Sequence, residues 1–115
     1  MALDLSGVRQ YPYVTSTTTP GTANTCQIIS LPTNVSLQIT LNNRDKASKG
    51  LAYSFDQTLT DGGPAPATYF SVVDPLHIKC SKNRISGYST VTKVAIFSVA
   101  HTNVNCEILL EEDGI

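Results

Sequence analysis

The sequence contains little of the charge that nucleic-acid-binding domains use. Charged residues make up 15% of its 115 residues, it has no tryptophan, and its formal net charge is −1. An ordinary globular domain is about 25% charged. Six of the eight basic residues form two short clusters that polar residues interrupt and that no aromatic platform accompanies. Nucleic-acid binding usually requires a basic patch or stripe, so we expect no nucleic-acid partner.

Long apolar runs are also missing. No stretch approaches the ~20 apolar residues that a membrane-spanning helix needs. The first ten residues, "MALDLSGVRQ", show no basic region followed by an apolar run. The sequence therefore predicts neither a signal peptide nor a membrane partner, and it predicts folding in the cytoplasm.

Cysteine is scarce as well, with Cys26, Cys80 and Cys106 far apart and odd in number. Such spacing indicates neither a closed disulfide framework nor a pair of zinc ligands. We interpret the three as small buried hydrophobic residues of a protein that folds in a reducing compartment.

Candidate catalytic groups are few and poorly placed. His77, Cys80 and Asp74 are neighbours in sequence, whereas the members of a working triad are normally brought together by the fold. No Gly-x-Ser-x-Gly nucleophile turn is present. Asp56 and Asp61 are too sparse for a calcium loop. We predict that the chain is not an enzyme and has no catalytic, metal-binding or cofactor-binding residues.

What the sequence does contain is strand pattern. In "SLPTNVSLQITLNN", Val35, Leu37, Ile39 and Leu41 alternate with polar residues, as in a strand with one buried face. Ser and Thr together number 25, and they suit turns and strands better than helices.

Similar segments recur along the chain, with turns every eight to twelve residues. This spacing predicts an all-β fold, an antiparallel two-sheet sandwich of jelly-roll-like type with seven or eight strands. The expected strands are "TCQIIS", Val35 to Leu41, "LAYSF", "YFSVV", "LHIKC", the short segment Arg84 to Tyr88, "TKVAIFSVA" and "CEILL".

The first 25 residues differ from the rest. They include "TSTTTPGTANT", which has no apolar period, so we expect an extended N-terminal arm over residues 1–25 and a sandwich domain over 26–115. Tyr11, Pro12, Tyr13 and Val14 form an apolar patch within that arm. The patch either docks on another subunit or packs on the surface of its own domain.

Four segments together resemble small β-sandwich virion proteins of tailed bacteriophages: "TCQIISLPTNVSLQITLNN", "GLAYSFDQTLTDGG", "YFSVVDPLHIKC" and "KVAIFSVAHTNVNCEILLEEDGI". The resemblance implies a capsid cement or decoration protein that binds at junctions of the assembled shell and stabilises it. A tail, neck or fibre component is the alternative that it implies in second place. It further implies a virion location after assembly in the host cytoplasm, a major capsid protein or other virion subunit as partner, and a homo-oligomer.

Two segments are predicted to contact the partner. The first is the patch Tyr11, Pro12, Tyr13 and Val14, because it is apolar and lies outside the strand pattern. The second is the loop that contains Asp61, Gly62, Gly63, Pro64 and Pro66, because its length is typical of a binding loop.

A carbohydrate-binding module is the remaining alternative, since small β-sandwiches often carry sugar sites. With no tryptophan available, the aromatic platforms would be Tyr53, Tyr69 and Tyr88. We assign Phe55, Phe70 and Phe97 to the core.

Overall fold

The computed structural model describes residues 2–88 and 90–113, which form two β-sheets packed face to face. This confirms the predicted all-β sandwich. Beside a short 3-10 turn at Ala47–Lys49, this part of the chain contains nine strands: β1 (Leu3–Asp4), β2 (Tyr13–Thr18), β3 (Gln27–Ser30), β4 (Ser36–Asn43), β5 (Leu51–Ser54), β6 (Phe70–Ser71), β7 (Leu76–Ser81), β8 (Lys93–Ser98) and β9 (Asn105–Glu112).

The strand order is that of a jelly roll. One sheet has the order β2-β9-β4-β7 and the other β1-β3-β8-β5-β6. From β2 to β9 the chain passes back and forth between the sheets, so that both contain neighbours that are distant in sequence. All pairs are antiparallel except β1 with β3, which is parallel.

The core between the sheets follows the alternation seen in the sequence. Leu37, Ile39 and Leu41 of β4 are buried and pack against apolar residues of the opposite sheet. Thr40 is an exception, since it is buried although it belongs to the polar series. Its hydroxyl lies 2.9 Å from Nδ1 of His77 on the neighbouring strand, and this hydrogen bond offsets the cost of burying a polar group.

A second, smaller apolar layer lies on the outer face of the five-stranded sheet. Cys26, Ile28, Ala52, Ala95 and Phe97 form this layer, and the β5–β6 connection covers it through Leu59 and Ala65. Strand β8 is therefore buried on both faces, which explains why "KVAIF" is a continuous apolar run and does not alternate.

The N-terminal segment is extended as expected, but it is paired within the sandwich and does not project as an arm. β1 pairs with β3, and β2 pairs with β9 over six residues. Leu5 is only 2% exposed. Thr17 accepts a hydrogen bond from the Gln27 amide of the other sheet at 2.7 Å, and the buried Thr19 hydroxyl accepts one from the Val104 N–H at 2.9 Å.

The expectation of an arm fails because edge strands need only one paired side and one weakly apolar face. A run of threonines provides both without an apolar period. In residues 2–88 and 90–113 there is no helix long and apolar enough to cross a membrane.

Candidate functional site

Four aromatic side chains lie in contact at the side of the sandwich where β6 and β7 are the end strands. We call Tyr53, Phe55, Phe70 and Tyr88 the aromatic ridge. The ring centroid of Tyr53 is 5.4 Å from those of Phe55 and Phe70, and Phe55 is 5.2 Å from Tyr88. Tyr53 meets Phe70 with tilted rings, while the other two contacts are edge-to-face, a favourable geometry for aromatic pairs.

Strand register brings the ridge together. Tyr53 of β5 lies opposite Phe70 of β6, so both side chains leave the same face of the sheet. Phe55 follows two residues after Tyr53 on the same face. Tyr88 is brought to Phe55 by a tight turn in which its N–H donates to the carbonyl of Ile85 at 2.8 Å.

Two clefts flank the ridge. The larger, of about 590 Å³, lies beside the β5–β6 connection, and the smaller, of about 310 Å³, lies beside β7. Phe55, Phe70 and Tyr88 line both. The ridge thus separates two shallow depressions, each with one aromatic wall.

The polar wall of the larger cleft is fixed by its own hydrogen bonds. The Gln57 amide nitrogen donates to the carbonyls of Phe55 at 2.8 Å and Lys93 at 2.9 Å, while its oxygen accepts from the Thr92 N–H at 3.0 Å. Asp56 accepts from the hydroxyl of Thr58 at 2.6 Å and from its N–H at 2.9 Å. Those bonds lower the pKa of Asp56, so a carboxylate stands at the rim of the cleft.

Exposed apolar side chains are concentrated around β6. We call Tyr69, Phe70, Val73 and Tyr88 the β6 patch. Phe70 is 48% exposed and Val73 is 74% exposed. Tyr69 and Phe70 are consecutive and leave opposite faces of the sheet, Tyr69 toward Phe97 and Phe70 toward Tyr53, so the patch lies around the edge at β6. Exposed large apolar residues gathered at one edge often mark a binding surface.

The loop predicted as a partner contact is held on its own domain. Gly62 donates to the Cys26 carbonyl at 2.8 Å, and Gly63 accepts from the Cys26 N–H at 3.1 Å. The Asp61 carboxylate accepts from the Ile28 N–H at 3.0 Å. A partner role for the loop stays a prediction.

Two prolines complete that loop. Pro64 forms a bridge with Thr25, so it also serves the attachment of the loop. Pro66 instead lines the larger cleft, which places it beside the aromatic ridge.

The other predicted contact segment divides into two parts. Tyr11 packs against the core and donates its hydroxyl to the Val8 carbonyl at 2.7 Å. With Pro12 it lines a small depression beside the acidic end of β9. Tyr13 and Val14 begin the end strand β2, and Val14 is 59% exposed.

The three residues considered for catalysis, His77, Cys80 and Asp74, have separate structural environments. His77 is exposed on β7, whereas Cys80, at an odd spacing on the same strand, is buried toward the core. Asp74 accepts from the Asn43 N–H at 2.6 Å and so anchors the end of β4. Over residues 2–88 and 90–113 no three His, Cys, Asp or Glu side chains gather in a way that could hold a metal ion.

Of the three tyrosines proposed as a sugar platform, the fold joins two. Tyr53 and Tyr88 belong to the ridge, while Tyr69 packs against Phe97 with centroids 5.2 Å apart. Sequence reasoning assigned Phe70 to the core, yet it is about half exposed. The signal that could have found it is the shortness of its apolar segment, cut by Asp74-Pro75, which favours an edge strand.

Comparison of the chain with protein-family models, with curated proteins and with solved structures found no match.

Proposed function

We propose that this chain is a non-enzymatic virion structural protein, a capsid cement or decoration subunit that binds the assembled shell through the β6 patch. The observation that carries the proposal is the concentration of exposed apolar side chains at one end strand, where Phe70 is 48% and Val73 is 74% exposed. An aromatic anchor surrounded by a polar rim is the usual form of a protein-binding hot spot. The sequence resemblance supports a major capsid protein or another virion subunit as the partner, and a location in the virion.

Stabilisation of the shell then follows from mass action. A subunit that binds only the assembled shell lowers the free energy of that state relative to the free subunits. Each contact need not be strong, because a symmetric shell presents the same junction many times. Three residues of the patch are held in place before binding, Phe70 by Tyr53 and the β5–β6 pairing, Tyr88 by Phe55, and Tyr69 by Phe97, so docking costs little ordering of side chains.

The test uses particles of the virus whose genome encodes this chain, prepared without the chain. Purified protein is added back, and bound protein is measured by co-sedimentation and by the temperature at which particles rupture. We expect the wild-type chain to saturate at many copies per particle and to raise the rupture temperature. Phe70→Ala should weaken binding by about tenfold or more, as truncation of an interface aromatic does.

Val99→Ala is the matched control, because Val99 is 41% exposed but directly follows β8, and β5 lies between β8 and β6. It should bind as the wild type does. Particles that fail to bind the wild-type chain would overturn the proposal. Saturation at six, three or twelve copies would instead assign the chain to the tail or neck.

A second candidate function, carbohydrate binding, is favoured by the larger cleft. Phe70, Tyr88 and Asp56 all line this cleft, and sugars stack on aromatic side chains while their hydroxyls donate to carboxylates. A glycan array probed with the isolated protein tests this function. A signal that Tyr88→Ala abolishes would support it, and an array without signal would contradict it.

A further inference from the structure

We propose that copies of this chain associate head to tail, with β7 of one copy pairing antiparallel to β2 of the next. The contact extends the four-stranded sheet from copy to copy. It involves the sheet ends and not the shell-binding patch, so it does not depend on the proposed function.

The directions of β2 and β7 fit a head-to-tail contact. β2 and β7 are the two end strands of the sheet β2-β9-β4-β7, and each is six residues long. On the side of β7 away from β4, Ser81 is already hydrogen-bonded to Arg84, so residues 76–80 are the part of β7 that remains for a partner. Because every neighbour in this sheet is antiparallel, β2 and β7 run in opposite directions. A second copy placed beside the first in the same orientation therefore brings its β2 antiparallel to β7. Strand addition at such an edge gains main-chain hydrogen bonds without a deep pocket.

Strand β2 carries none of the usual protection against edge pairing. Its sequence "YVTSTT" has no charge and no proline, and its six consecutive pairs with β9 contain no bulge. Natural proteins normally blunt an exposed edge with one of these devices. Strand β7, by contrast, carries exposed His77 and Lys79. Two β7 strands paired with each other would bring these groups together, so β7 needs a different partner.

The two sides of the four-stranded sheet also differ in charge. Lys79 faces outward on β7, and Lys82 and Arg84 follow in the next turn. On β9, the strand next to β2, Glu107 lies on the same outer face opposite Ser16, and Glu111 lies on that face opposite Gln38. The side of the sheet at β7 is therefore basic, and the strand behind β2 is acidic. Head-to-tail contact joins opposite charges, whereas contact between two like ends does not.

One register of the β7–β2 contact brings a particular pair of opposite charges together. An antiparallel pairing that sets Lys79 opposite Ser16 of the next copy keeps outward residues opposite outward residues, which the two-residue period of strands requires. Ser16 in turn lies opposite Glu107 on β9. Strands are about 4.8 Å apart, so a lysine and a glutamate can meet across the small serine between them. Glu107 is held only loosely in its own chain, by Arg44 at 4.0 Å.

The experiment measures molar mass by light scattering over a wide range of protein concentration, at low and high salt. We expect the mass to rise from the 12.3 kDa of one chain to integer multiples, and to rise less at high salt. Lys79→Glu and Glu107→Lys should each shift association to about tenfold higher concentration or more, because each places like charges at the contact. Lys46→Glu, the same charge change on the β4–β5 connection, should leave association unchanged.

Charge exchange gives the decisive result. An equimolar mixture of Lys79→Glu with Glu107→Lys should associate again, since each variant then meets the opposite charge on the other at both ends. The double variant Lys79→Glu/Glu107→Lys should also associate, which shows at the same time that the substituted chain folds. A wild-type chain that stays monomeric at all concentrations would overturn the proposal. So would a dimer that Lys79→Glu does not weaken, because that result would indicate two β2 strands paired across a two-fold axis.

Discussion

Burial in the core makes the Cys106 thiol unreactive. The side chain is completely buried at the centre of the sandwich. Burial, and next the negative charge of Asp74, raise the pKa of Cys106 from 9.0 to about 12. The thiol is therefore protonated at any physiological pH, and reactive cysteines need the thiolate.

A pH dependence of stability follows from this shift. Between pH 9 and pH 12 the unfolded chain loses the Cys106 proton while the folded chain keeps it, so rising pH favours the unfolded state. Below pH 9 both states are protonated and the thiol contributes no pH dependence. We expect the free energy of unfolding to fall more steeply above pH 9 in the wild type than in Cys106→Ala. Denaturant titrations of both proteins at pH 8 and pH 10 measure these free energies. If the free energy of unfolding fell by the same amount in both proteins between the two pH values, the raised pKa of Cys106 would be contradicted.

Asn83 shows how one polar side chain can join three segments. It adopts a left-handed backbone conformation with φ of 68°, which asparagine tolerates better than most residues. Its amide donates to the carbonyls of Pro32 at 3.2 Å and Val91 at 3.1 Å, and its oxygen accepts from the Asn34 N–H at 2.6 Å. The sequence marks Asn83 as a turn residue, but its partners lie up to 51 positions away, so no local pattern could identify them.

At the scale of elements, the β5–β6 connection acts as a cover for the outer face of its sheet. Its apolar residues Leu59 and Ala65 shield the second layer, and Asp61 ties it to β3 through the Ile28 N–H. These contacts give the loop a structural role, and its predicted role in binding a partner stays a prediction. Of the predicted contact residues in the loop, Pro66 lines the larger cleft.

The attachment of this cover can be tested at Asp61. Asp61→Ala leaves the Ile28 N–H without its acceptor, which should lower the free energy of unfolding by about 1–3 kcal/mol. Asp61→Asn keeps a side-chain oxygen in the same place and should lose less. Chemical denaturation gives the energies, and hydrogen exchange at the Ile28 amide reports the local opening. Identical exchange in the wild type and Asp61→Ala would show that the carboxylate does not hold the loop.

At the scale of the whole molecule, residues 2–20 are part of the sandwich. They supply an end strand to each sheet, and Leu5 belongs to the main core. Removing them would expose one side of β9 and one side of β3. Stability therefore depends on contacts between the two ends of the chain.

Deletion of residues 1–20 should abolish cooperative unfolding, and Leu5→Ala should cost about 2–5 kcal/mol, as for other buried leucines. Gly7→Ala in the same segment is the control, because an added methyl group there meets nothing within 4 Å. Thermal unfolding followed by circular dichroism measures all three. If the deletion variant unfolded cooperatively at the wild-type temperature, the sandwich would not need these residues, and the segment would behave as the separable arm that the composition predicts.

The sequence by itself determined the class of fold and much of the core. The alternation of Leu37, Ile39 and Leu41 is a local property of one strand, and it predicts the buried face wherever that strand packs. Only the tertiary structure decided which strands lie at the sheet ends, that "YVTSTT" pairs with β9, and that Phe70 is exposed beside Tyr53. The reason is physical: side-chain periodicity is set by the two-residue repeat of a single strand, whereas pairing, edges and surface clusters depend on partners far away along the chain.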